Sequence, residues 1–498
     1  MERPRPIEML ETAELGHRVT PKAYSEELPL LRAKLLDAHF ALRSERFPVI
    51  VIVSGADGAG KGDLVHRLNE WLDPRGVETH AFGEPSDEER ERPPFWRFWR
   101  AMPGRGRIGI FFGSWYTTPI VQRVYGDIKE RSMCGALERI ASHERMLADD
   151  GALIVKLWLH LPRKEQRRRL NRLESENRIA PSDWKHFKLY NKFTKVSERA
   201  LQRTDTAHAP WHIIEATDRR HRELAAGKIL LDALSSRLKA GAAARALVAA
   251  ELRVKNRPGR RPRAVVDQID LNRRLPDAQY KKRLERVQAR LSKLAWAAHS
   301  KGMSMVLAFE GSDAAGKGSA IRRVTQAMDP RLYRVVGIAA PTDEERAQHY
   351  LWRFWRHLPR AGMSTIFDRS WYGRVLVERV EGFARESEWK RAYEEINDFE
   401  EQLSDHGIVL VKFWLQVGKA EQLRRFKERQ SVAYKRYKIT EEDWRNRKKW
   451  SAYQLAVDDM VTRCGAASVP WTLVPANDKK FARVQILETI VARLEEAL

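Results

Sequence analysis

The chain has 498 residues, of which 43% are hydrophobic and 32% are charged, and it carries a formal net charge of +24. It contains no apolar run near the roughly 20 residues that cross a bilayer. No apolar run follows the arginines of its start, MERPRPIEMLE, so we predict no secretory signal and expect a cytoplasmic protein. It has only two cysteines, one in each half and without metal-like spacing, so the sequence implies neither a disulfide framework nor a zinc site.

The excess of positive charge predicts a polyanionic partner, because a surface this basic attracts polyanions at long range. Nucleic acid, anionic lipid and inorganic polyphosphate all satisfy this expectation, and charge alone does not distinguish them. The chain is long enough for two or three domains, and two is the natural first expectation. The motifs along the chain must therefore identify the partner.

The first motif along the chain is a glycine-rich loop, GADGAGKG, at residues 55–62. It follows the apolar run PVIVIVS, which predicts a strand. Small residues let backbone N–H groups converge on phosphate oxygens, and a lysine adds a point charge. The run therefore predicts a phosphate-binding loop, although Lys61 is followed by glycine where such loops usually carry the serine or threonine that binds Mg2+.

The second half of the chain repeats the first. A shift of 256 residues superimposes residues 48–62 on residues 304–318, and a shift of 260 later pairs Trp184 with Trp444. We therefore predict a tandem duplication. The predicted parts are an amino-terminal domain at residues 1–245, a basic linker at residues 246–265 and a carboxyl-terminal catalytic domain at residues 266–498.

Within each copy, short and continuously apolar runs such as VLAFEG and VLVKFWL alternate with stretches of helical periodicity. Continuously apolar strands separated by helices are typical of a parallel sheet that is covered on both faces. We therefore predict an α/β fold in which each copy is a three-layer α/β/α domain. The aromatic residues Trp352, Phe354 and Trp355 have the spacing of a helix face in a core, so we predict a structural role for them rather than base stacking.

The loop of the second copy, GSDAAGKG at residues 311–318, lies between a predicted strand and a predicted helix. This context predicts phosphate binding by the backbone of the loop and by Lys317. The acidic residue Asp313 is a candidate to replace the missing hydroxyl ligand of Mg2+. The predicted phosphate-binding loop positions are Gly311, Ala314, Ala315, Gly316 and Gly318.

A second candidate element is IFDRSWYGR, in which an apolar strand ends in Asp368 and Arg369. A carboxylate at the carboxyl end of a strand, near the loop of a neighbouring strand, is where phosphoryl-transfer enzymes hold Mg2+. We therefore predict Asp313 and Asp368 as metal ligands, with Mg2+ as the cofactor. The alternative, that Asp368 only caps the next helix, stays open at this point.

Together with these motifs, the runs VKFWLQVGKAEQLRRFKERQ and PWTLVPANDKKFARV resemble the polyphosphate kinase type 2 family. The resemblance covers nearly all of residues 277–498 and, more loosely, residues 21–238. Two fused copies are similar to the long subgroup of that family, in which AMP accepts phosphate from polyphosphate. The resemblance implies a P-loop kinase fold with a helical lid and Mg2+-dependent transfer between inorganic polyphosphate and an adenine nucleotide.

Carried over position by position, the resemblance assigns catalytic roles to Asp313, Lys317, Asp368, Arg369, Arg374 and Glu378. Arginines are suited to bidentate phosphate contacts. Glu378 could order Mg2+-bound water or orient an arginine, and an ion pair within its helix is an equal alternative. In the lid segment, the resemblance favours Arg424 and Arg425 as residues that close over the phosphates.

The amino-terminal copy keeps the loop but not the second element. Phe112 and Gly113 stand where the other copy has Asp368 and Arg369, and Thr118 and Gln122 stand at the positions of Arg374 and Glu378. A phenylalanine cannot bind Mg2+, so we predict a catalytically inactive amino-terminal copy.

The leading hypothesis is a kinase that moves a phosphoryl group from polyphosphate to AMP and gives ADP. An ATP-dependent nucleoside monophosphate kinase and a basic P-loop protein that binds nucleic acid are the alternatives. The leading hypothesis expects polyphosphate and an adenine nucleotide as partners, and neither nucleic acid nor a membrane. A homo-oligomer is compatible with the fusion.

Overall fold

The computed structural model describes residues 9–176, 181–251, 265–431, 441–465 and 469–498. The chain divides into two compact units, one built mainly from each copy. The first unit includes Asp343–His349, and the second includes Ser86–Trp96. Most of the predicted linker, residues 252–264, lies outside the described residues, and the domain boundaries stay predictions.

The amino-terminal copy forms a parallel sheet of five strands with the order β2-β3-β1-β4-β5. The strands are β1 (Val49–Gly55), β2 (Val77–Ala81), β3 (Ile108–Phe112), β4 (Leu153–His160) and β5 (Trp211–Glu215). The helices are α1 (Pro21–Leu42), α2 (Lys61–Trp71), α3 (Asp87–Arg90), α4 (Trp96–Arg100), α5 (Thr117–Tyr125), α6 (Glu130–Asp149), α7 (Arg163–Ser175), α8 (Pro181–Lys188), α9 (Tyr190–Thr204) and α10 (Arg219–Glu251).

The carboxyl-terminal copy forms a second parallel sheet of five strands, with the matching order β7-β8-β6-β9-β10. The strands are β6 (Met305–Gly311), β7 (Tyr333–Gly337), β8 (Ser364–Asp368), β9 (Val409–Gln416) and β10 (Trp471–Pro475). The helices are α11 (Asp277–Ser300), α12 (Lys317–Thr325), α13 (Asp343–Arg346), α14 (Trp352–Trp355), α15 (Val377–Glu381), α16 (Glu386–Asp405), α17 (Lys419–Ser431), α18 (Glu441–Lys448), α19 (Trp450–Arg463) and α20 (Lys479–Ala497). Short 3-10 helices lie at Glu11–Ala13, Pro74–Gly76, Val265–Gln268, Pro330–Leu332 and Trp371–Arg374.

The predicted fold class, a tandem α/β duplication with parallel sheets, is confirmed. The central strand β6 is buried from Met305 to Glu310 because helices cover both faces of its sheet. On one face, Leu307 and Phe309 pack in a core with Leu291 of α11 and Ile486 of α20. Burying each such side chain contributes about 1.5–3 kcal/mol to the stability of the fold. The strand therefore holds the start of the following loop in a fixed position.

A buried ion pair supports the other face of each sheet. In the carboxyl-terminal copy the Lys412 Nζ atom lies 2.6 Å from Glu400 Oε2 and donates to the Tyr372 hydroxyl at 3.0 Å. In the amino-terminal copy Lys156 contacts Glu144 in the same way, at 2.8 Å. Because a buried charge is costly without a partner, this pairing fixes the segment that follows strand β8 and the one that follows β3.

The prediction that Trp352, Phe354 and Trp355 lie in a core is confirmed, since they are 8%, 3% and 1% exposed. Indole and phenyl groups buried to this extent cannot stack on nucleic-acid bases. Within the ranges that the structure describes, no helix is both long enough and apolar enough to cross a membrane.

Candidate functional site

The glycine-rich loop of the carboxyl-terminal copy connects β6 to α12, and its backbone requires glycine at two points. A Cβ atom on Gly311 would lie 2.6 Å from the carbonyl oxygen of Leu415, so no larger residue fits there. Gly316 precedes α12 with a φ of 108°, in the left-handed region that glycine adopts without strain. Ala314 also has a positive φ, of 60°. The loop thus turns its backbone sharply into the first turn of α12, where N–H groups are free to bind an anion.

Lys317 is the first residue of α12, and its Nζ atom donates a hydrogen bond to the Gly311 carbonyl oxygen at 2.7 Å. The next residue, Gly318, faces the end of strand β8. A Cβ atom on Gly318 would lie 3.8 Å from the Asp368 Oδ2 atom. The position that a serine or threonine hydroxyl usually takes in such loops is therefore beside the carboxylate of Asp368, and a water molecule or a phosphate oxygen can take it instead.

Arg369 follows strand β8 in a strained conformation. Its φ is 67°, which costs a non-glycine residue about 1–2 kcal/mol. Its N–H group donates to the Phe309 carbonyl oxygen of β6 at 3.1 Å. The matched residue of the amino-terminal copy is Gly113, which adopts a φ of 74° without this cost. A strained arginine where glycine would be more stable suggests that its side chain has a function.

Glu310 is a site residue that the sequence analysis missed. It is the last buried residue of β6, only 6% exposed, and its Oε1 atom accepts hydrogen bonds from the backbone N–H and the hydroxyl of Ser370 at 2.7 and 2.9 Å. Burial raises the pKa of Glu310, although the nearby Lys317 ammonium and Ser370 oppose the shift. Its carboxylate holds the turn that presents Arg369, and Ser54 stands at the matched position of the other copy.

Asp313 is held by the helices that follow the lid segment. Its Oδ2 atom accepts a hydrogen bond from the Asn446 side-chain amide at 2.9 Å, and its Oδ1 atom lies 3.7 Å from the Arg369 guanidinium. The Tyr453 hydroxyl donates to the Asn446 Oδ1 atom at 3.1 Å, which turns the amide NH2 group toward Asp313. Asn446 and Tyr453 were also missed, because they lie more than 120 residues from the loop.

Glu381 anchors the same helices to α15. It is 4% exposed at its side chain, and its Oε2 atom lies 3.1 Å from Arg445 and 2.8 Å from Lys449. In the amino-terminal copy the residues at the positions of Asn446, Tyr453 and Glu381 are His186, Phe193 and Tyr125. These three residues thus differ between the two copies, as Asp368 and Arg369 do.

Arg374 and Glu378 form an ion pair with each other, at 2.9 Å. The Arg374 guanidinium also lies over the ring of Tyr350, 4.5 Å from its centroid. These contacts agree with the ion-pair alternative for Glu378. Among the described residues, neither side chain lines the cavity next to the loop, so their predicted catalytic roles stay predictions.

Arg425 lies beneath the loop rather than over it. Its guanidinium is 3% exposed and pairs with Glu421 at 2.7 Å. It donates at 2.7–3.1 Å to four backbone carbonyl oxygens, those of Ala314, Ala315, Ala476 and Asn477. With these donors engaged, Arg425 supports the loop from below. Arg424 is 62% exposed and pairs with Glu421 and Glu428, so it keeps the freedom to contact a phosphate chain.

The amino-terminal copy contains the same support. Arg169 donates at 2.7–2.9 Å to the carbonyl oxygens of Gly58, Ala216 and Thr217. Both copies keep this contact, including the copy without the strand-end carboxylate, so we propose that Arg425 positions the loop. Its contact with phosphate stays a prediction.

Replacing Arg425 by alanine should lower the free energy of unfolding by about 1–3 kcal/mol, because it leaves buried carbonyl oxygens without donors. The melting temperature should fall by roughly 2–4 °C for each kcal/mol. Arg169→Ala should destabilise the protein similarly but leave ADP formation intact. Arg424→Ala should leave the melting temperature unchanged and raise only the KM for polyphosphate. An unchanged melting temperature in Arg425→Ala would contradict the positioning role.

An open cavity extends from the loop. It is lined by the charged side chains of Asp313, Lys317 and Arg369 and by the aromatic side chains of Trp414, Trp450 and Tyr453. The cavity combines a place for phosphate with an apolar surface on which a planar ring could pack.

The described residues contain no group of three or more histidine, cysteine or acidic side chains that could hold a metal ion alone. This composition still suits Mg2+, which is commonly bound by one or two carboxylates, substrate phosphates and water. Asp368, beside the open position at Gly318, fits such a site. Asp313 fits less directly, since its carboxylate is already engaged by Asn446 and Arg369.

The matched site of the amino-terminal copy is apolar. A Cβ atom on Gly62 would lie 4.0 Å from the Phe112 ring, so the phenyl group takes the place that the Asp368 carboxylate has in the other copy. Neither Phe112 nor Gly113 offers a charge to a metal ion or to phosphate. The inactivity of the amino-terminal copy stays a prediction.

Comparisons with known proteins agree on the family. The family profile of polyphosphate kinase 2 matches residues 18–241 and 274–498. The chain is 51% identical to a polyphosphate:AMP phosphotransferase of Pseudomonas aeruginosa, over 98% of this chain and 99% of that protein. It is 36% identical to a polyphosphate:AMP phosphotransferase of Acinetobacter johnsonii, over 93% and 96% of the two chains. The crystal structure of a polyphosphate kinase 2 from Pseudomonas aeruginosa PA01 matches with a TM-score of 0.88, 51% identity and coverage of 98% and 99%.

Proposed function

Because the chain belongs to the polyphosphate kinase 2 family, we propose that it transfers the terminal phosphoryl group of inorganic polyphosphate to AMP. The family profile and the relatives confirm the family relationship that the sequence resemblance implied. The observation that carries the proposal is the cavity of the carboxyl-terminal copy, where the phosphate loop and Arg369 adjoin an aromatic surface. Relatives that share both copies of the domain at 51% and 36% identity are polyphosphate:AMP phosphotransferases.

In the proposed complex, the phosphate of AMP lies near Arg369, and its base packs among Trp414, Trp450 and Tyr453. The terminal phosphoryl group of polyphosphate lies at the loop, against the N–H groups at the start of α12 and the ammonium of Lys317. An oxygen of the AMP phosphate forms a new bond to the terminal phosphorus. The bond between that phosphorus and the bridging oxygen breaks, and the products are ADP and a chain shorter by one phosphate.

Mg2+ is the cofactor that this chemistry requires, and Asp368, assisted by Asp313, would hold it. When bound, the cation neutralises charge that develops on the phosphoryl oxygens. The protein's own residues hold the reactants in line: Lys317 and the loop fix the donor, and Arg369 fixes the acceptor. Since transfer of this kind needs little covalent help from the protein, positioning and electrostatic stabilisation supply most of the rate.

The proposed function is tested by incubating the full-length protein with Mg2+, polyphosphate and AMP and measuring ADP. We expect ADP with polyphosphate as donor. ADP only with ATP as donor would favour the alternative, an ATP-dependent nucleoside monophosphate kinase. Salt-dependent binding of DNA or RNA without any transfer would favour a nucleic-acid-binding protein. The cytoplasmic location and a homo-oligomer stay predictions.

The contact between Asn446 and Asp313 gives a prediction about positioning. Asn446→Ala removes a hydrogen bond to a carboxylate, worth about 1.5–3 kcal/mol, so kcat/KM should fall about tenfold or more. Tyr453→Phe, which introduces the residue of the inactive copy, should cause a smaller fall because it only releases the amide of Asn446. Asn397→Ala is the control, since that amide donates to the Arg463 carbonyl oxygen away from the cavity. Steady-state kinetics in which Asn446→Ala matches the control would contradict the assignment.

A further inference from the structure

Gln454 is a buried amide in the wall of the cavity beside the loop. It belongs to α19 and is only 4% exposed. It lines the cavity together with Trp414, Trp450 and Tyr453, the aromatic side chains among which the base of the acceptor is proposed to pack. Buried amides are normally paired with other polar groups, because an unpaired one is costly. The partners of Gln454 therefore indicate whether it serves the fold or a ligand.

Among the described residues, the Gln454 side chain has a single hydrogen bond. Its Oε1 atom accepts from the Gln416 Nε2 atom at 3.4 Å, which is longer than most hydrogen bonds of this kind. Its NH2 group can donate twice, yet no group in the described part of the chain accepts from it. A buried amide donor in the wall of the cavity is thus available to a ligand.

Gln416, the last residue of β9, fixes the orientation of this amide. The Trp414 indole N–H donates to the Gln416 Oε1 atom at 2.7 Å. Because an indole N–H can only donate, it requires the carbonyl oxygen of Gln416 and leaves the NH2 group of Gln416 for Gln454. That NH2 group in turn requires the carbonyl oxygen of Gln454. The order of donors and acceptors is therefore set, and the Gln454 NH2 group is turned away from Gln416.

The amino-terminal copy has neither of these amides. Thr194 stands at the position of Gln454, and its hydroxyl donates to the Tyr190 carbonyl oxygen of its own helix at 3.0 Å. His160 stands at the position of Gln416. The fold that the two copies share therefore does not require an amide at either position.

An amide of fixed orientation can distinguish adenine from a 6-oxopurine. It can pair with adenine through both of its groups, since the NH2 group donates to a ring nitrogen and the carbonyl oxygen accepts from the 6-amino group. A carbonyl oxygen has two lone pairs, so Gln454 can accept from the base and from Gln416 together. A 6-oxopurine has an oxygen in place of the amino group, which would lie against the Gln454 carbonyl oxygen without a hydrogen bond.

We propose that Gln454 determines which base the acceptor nucleotide carries, and that it selects adenine over 6-oxopurines. This inference rests on the proposed function, because it takes the cavity as the acceptor site. Gln416 is a positioning residue that acts through the orientation of Gln454. Neither amide takes part in the transfer itself, so both should affect the choice of nucleotide and not the turnover at saturating AMP.

The test compares AMP with inosine monophosphate (IMP), a 6-oxopurine nucleotide of nearly the same shape. Isothermal titration calorimetry with the full-length protein and Mg2+, in the absence of polyphosphate, gives the two Kd values independently of transfer. We expect the wild type to bind AMP at least about tenfold more tightly than IMP, a factor that corresponds to about 1.4 kcal/mol. Gln454→Met nearly keeps the volume of the side chain but removes the amide, so it should abolish this preference.

Gln288→Met is the matched control and should keep the preference, since the Gln288 amide donates to the Arg323 carbonyl oxygen, outside the lining of the cavity. Gln454→Thr, which introduces the residue of the other copy, covers the case in which Gln454→Met fails to fold, as thermal unfolding will show. It should also abolish the preference. Gln416→Met should reduce the preference by improving the binding of IMP, because the Gln454 amide can then turn over.

The proposal is overturned if the wild type does not bind AMP more tightly than IMP. It is also overturned if a folded Gln454→Met or Gln454→Thr protein keeps the full preference, or if Gln416→Met leaves the preference unchanged. ADP formation from polyphosphate and AMP is measured separately with the wild type, so failure of this proposal is distinct from failure of the proposed function.

Discussion

Replacing Asp368 by asparagine should lower the turnover of the full-length protein about 100- to 1,000-fold. The substitution keeps the shape of the side chain but removes the charge that would hold the cation, and losing one electrostatic element of this kind typically costs about 2.7–4 kcal/mol. Asp368 lies at the end of β8, beside the position of Gly318, a residue that has no hydroxyl of its own. The fold should be unaffected, with an unchanged melting temperature.

The measurement is ADP formation by the Asp368→Asn protein across a titration of Mg2+. Phe112→Leu, at the matched position of the amino-terminal copy, is the control and should leave turnover unchanged. We expect added Mg2+ to restore part of the lost rate, because Asp368→Asn lowers the affinity for the cation. Turnover near that of the wild type at low Mg2+ would show that Asp368 has a structural role.

Lys317→Ala should lower the turnover by a factor on the order of 100 to 1,000 or more. Lys317 is the first residue of α12, so its ammonium lies where the loop N–H groups and the helix dipole also favour phosphate. Removing the ammonium of Lys317 takes away a positive charge that neutralises the phosphates of the polyphosphate donor. Turnover at saturating polyphosphate is the measurement, since a variant that only weakened binding would recover its rate there.

The fold could be predicted from the sequence because its signals are strong and occur twice. The runs VIVIVSG and MVLAFEG are continuously apolar, as strands buried on both faces must be. They form the central strands β1 and β6 of two sheets with the same strand order. The helices between the strands account for the parallel pairing, since parallel strands need such crossovers.

The parts of the candidate site that lie within local sequence motifs could be predicted. Lys317 and Asp368 are each recognisable from the strand and loop around them, and the structure places Asp368 beside the start of α12. The strain of Arg369 could not be predicted, because a positive φ at an arginine has no sequence signature. The comparison with Gly113 could have indicated it, since glycine at one copy of a repeated position is a signal of a left-handed backbone.

The remaining site residues could not be predicted because their partners are distant in the sequence. Asn446 reaches Asp313 across 133 positions, and no local pattern links them. The family resemblance favours Arg425 as a phosphate contact, and that role stays a prediction. Its ion pair with Glu421, four residues earlier, could be predicted from the helical spacing. Glu310 is a charged residue inside an apolar strand, and Ser54 stands at its matched position. This difference is visible in the sequence, but the contact of Glu310 with Ser370 is visible only in the structure.

Only the carboxyl-terminal copy is expected to transfer phosphate, and two lysine variants measured side by side provide the test. Lys317→Ala and Lys61→Ala make the same change at matched positions of the two loops. Their turnover in the full-length protein should be compared at saturating polyphosphate, AMP and Mg2+. We expect the turnover of Lys317→Ala to fall by a factor on the order of 100 to 1,000 or more and the turnover of Lys61→Ala to stay close to that of the wild type. Comparable losses in the two variants would show instead that both copies contribute to transfer.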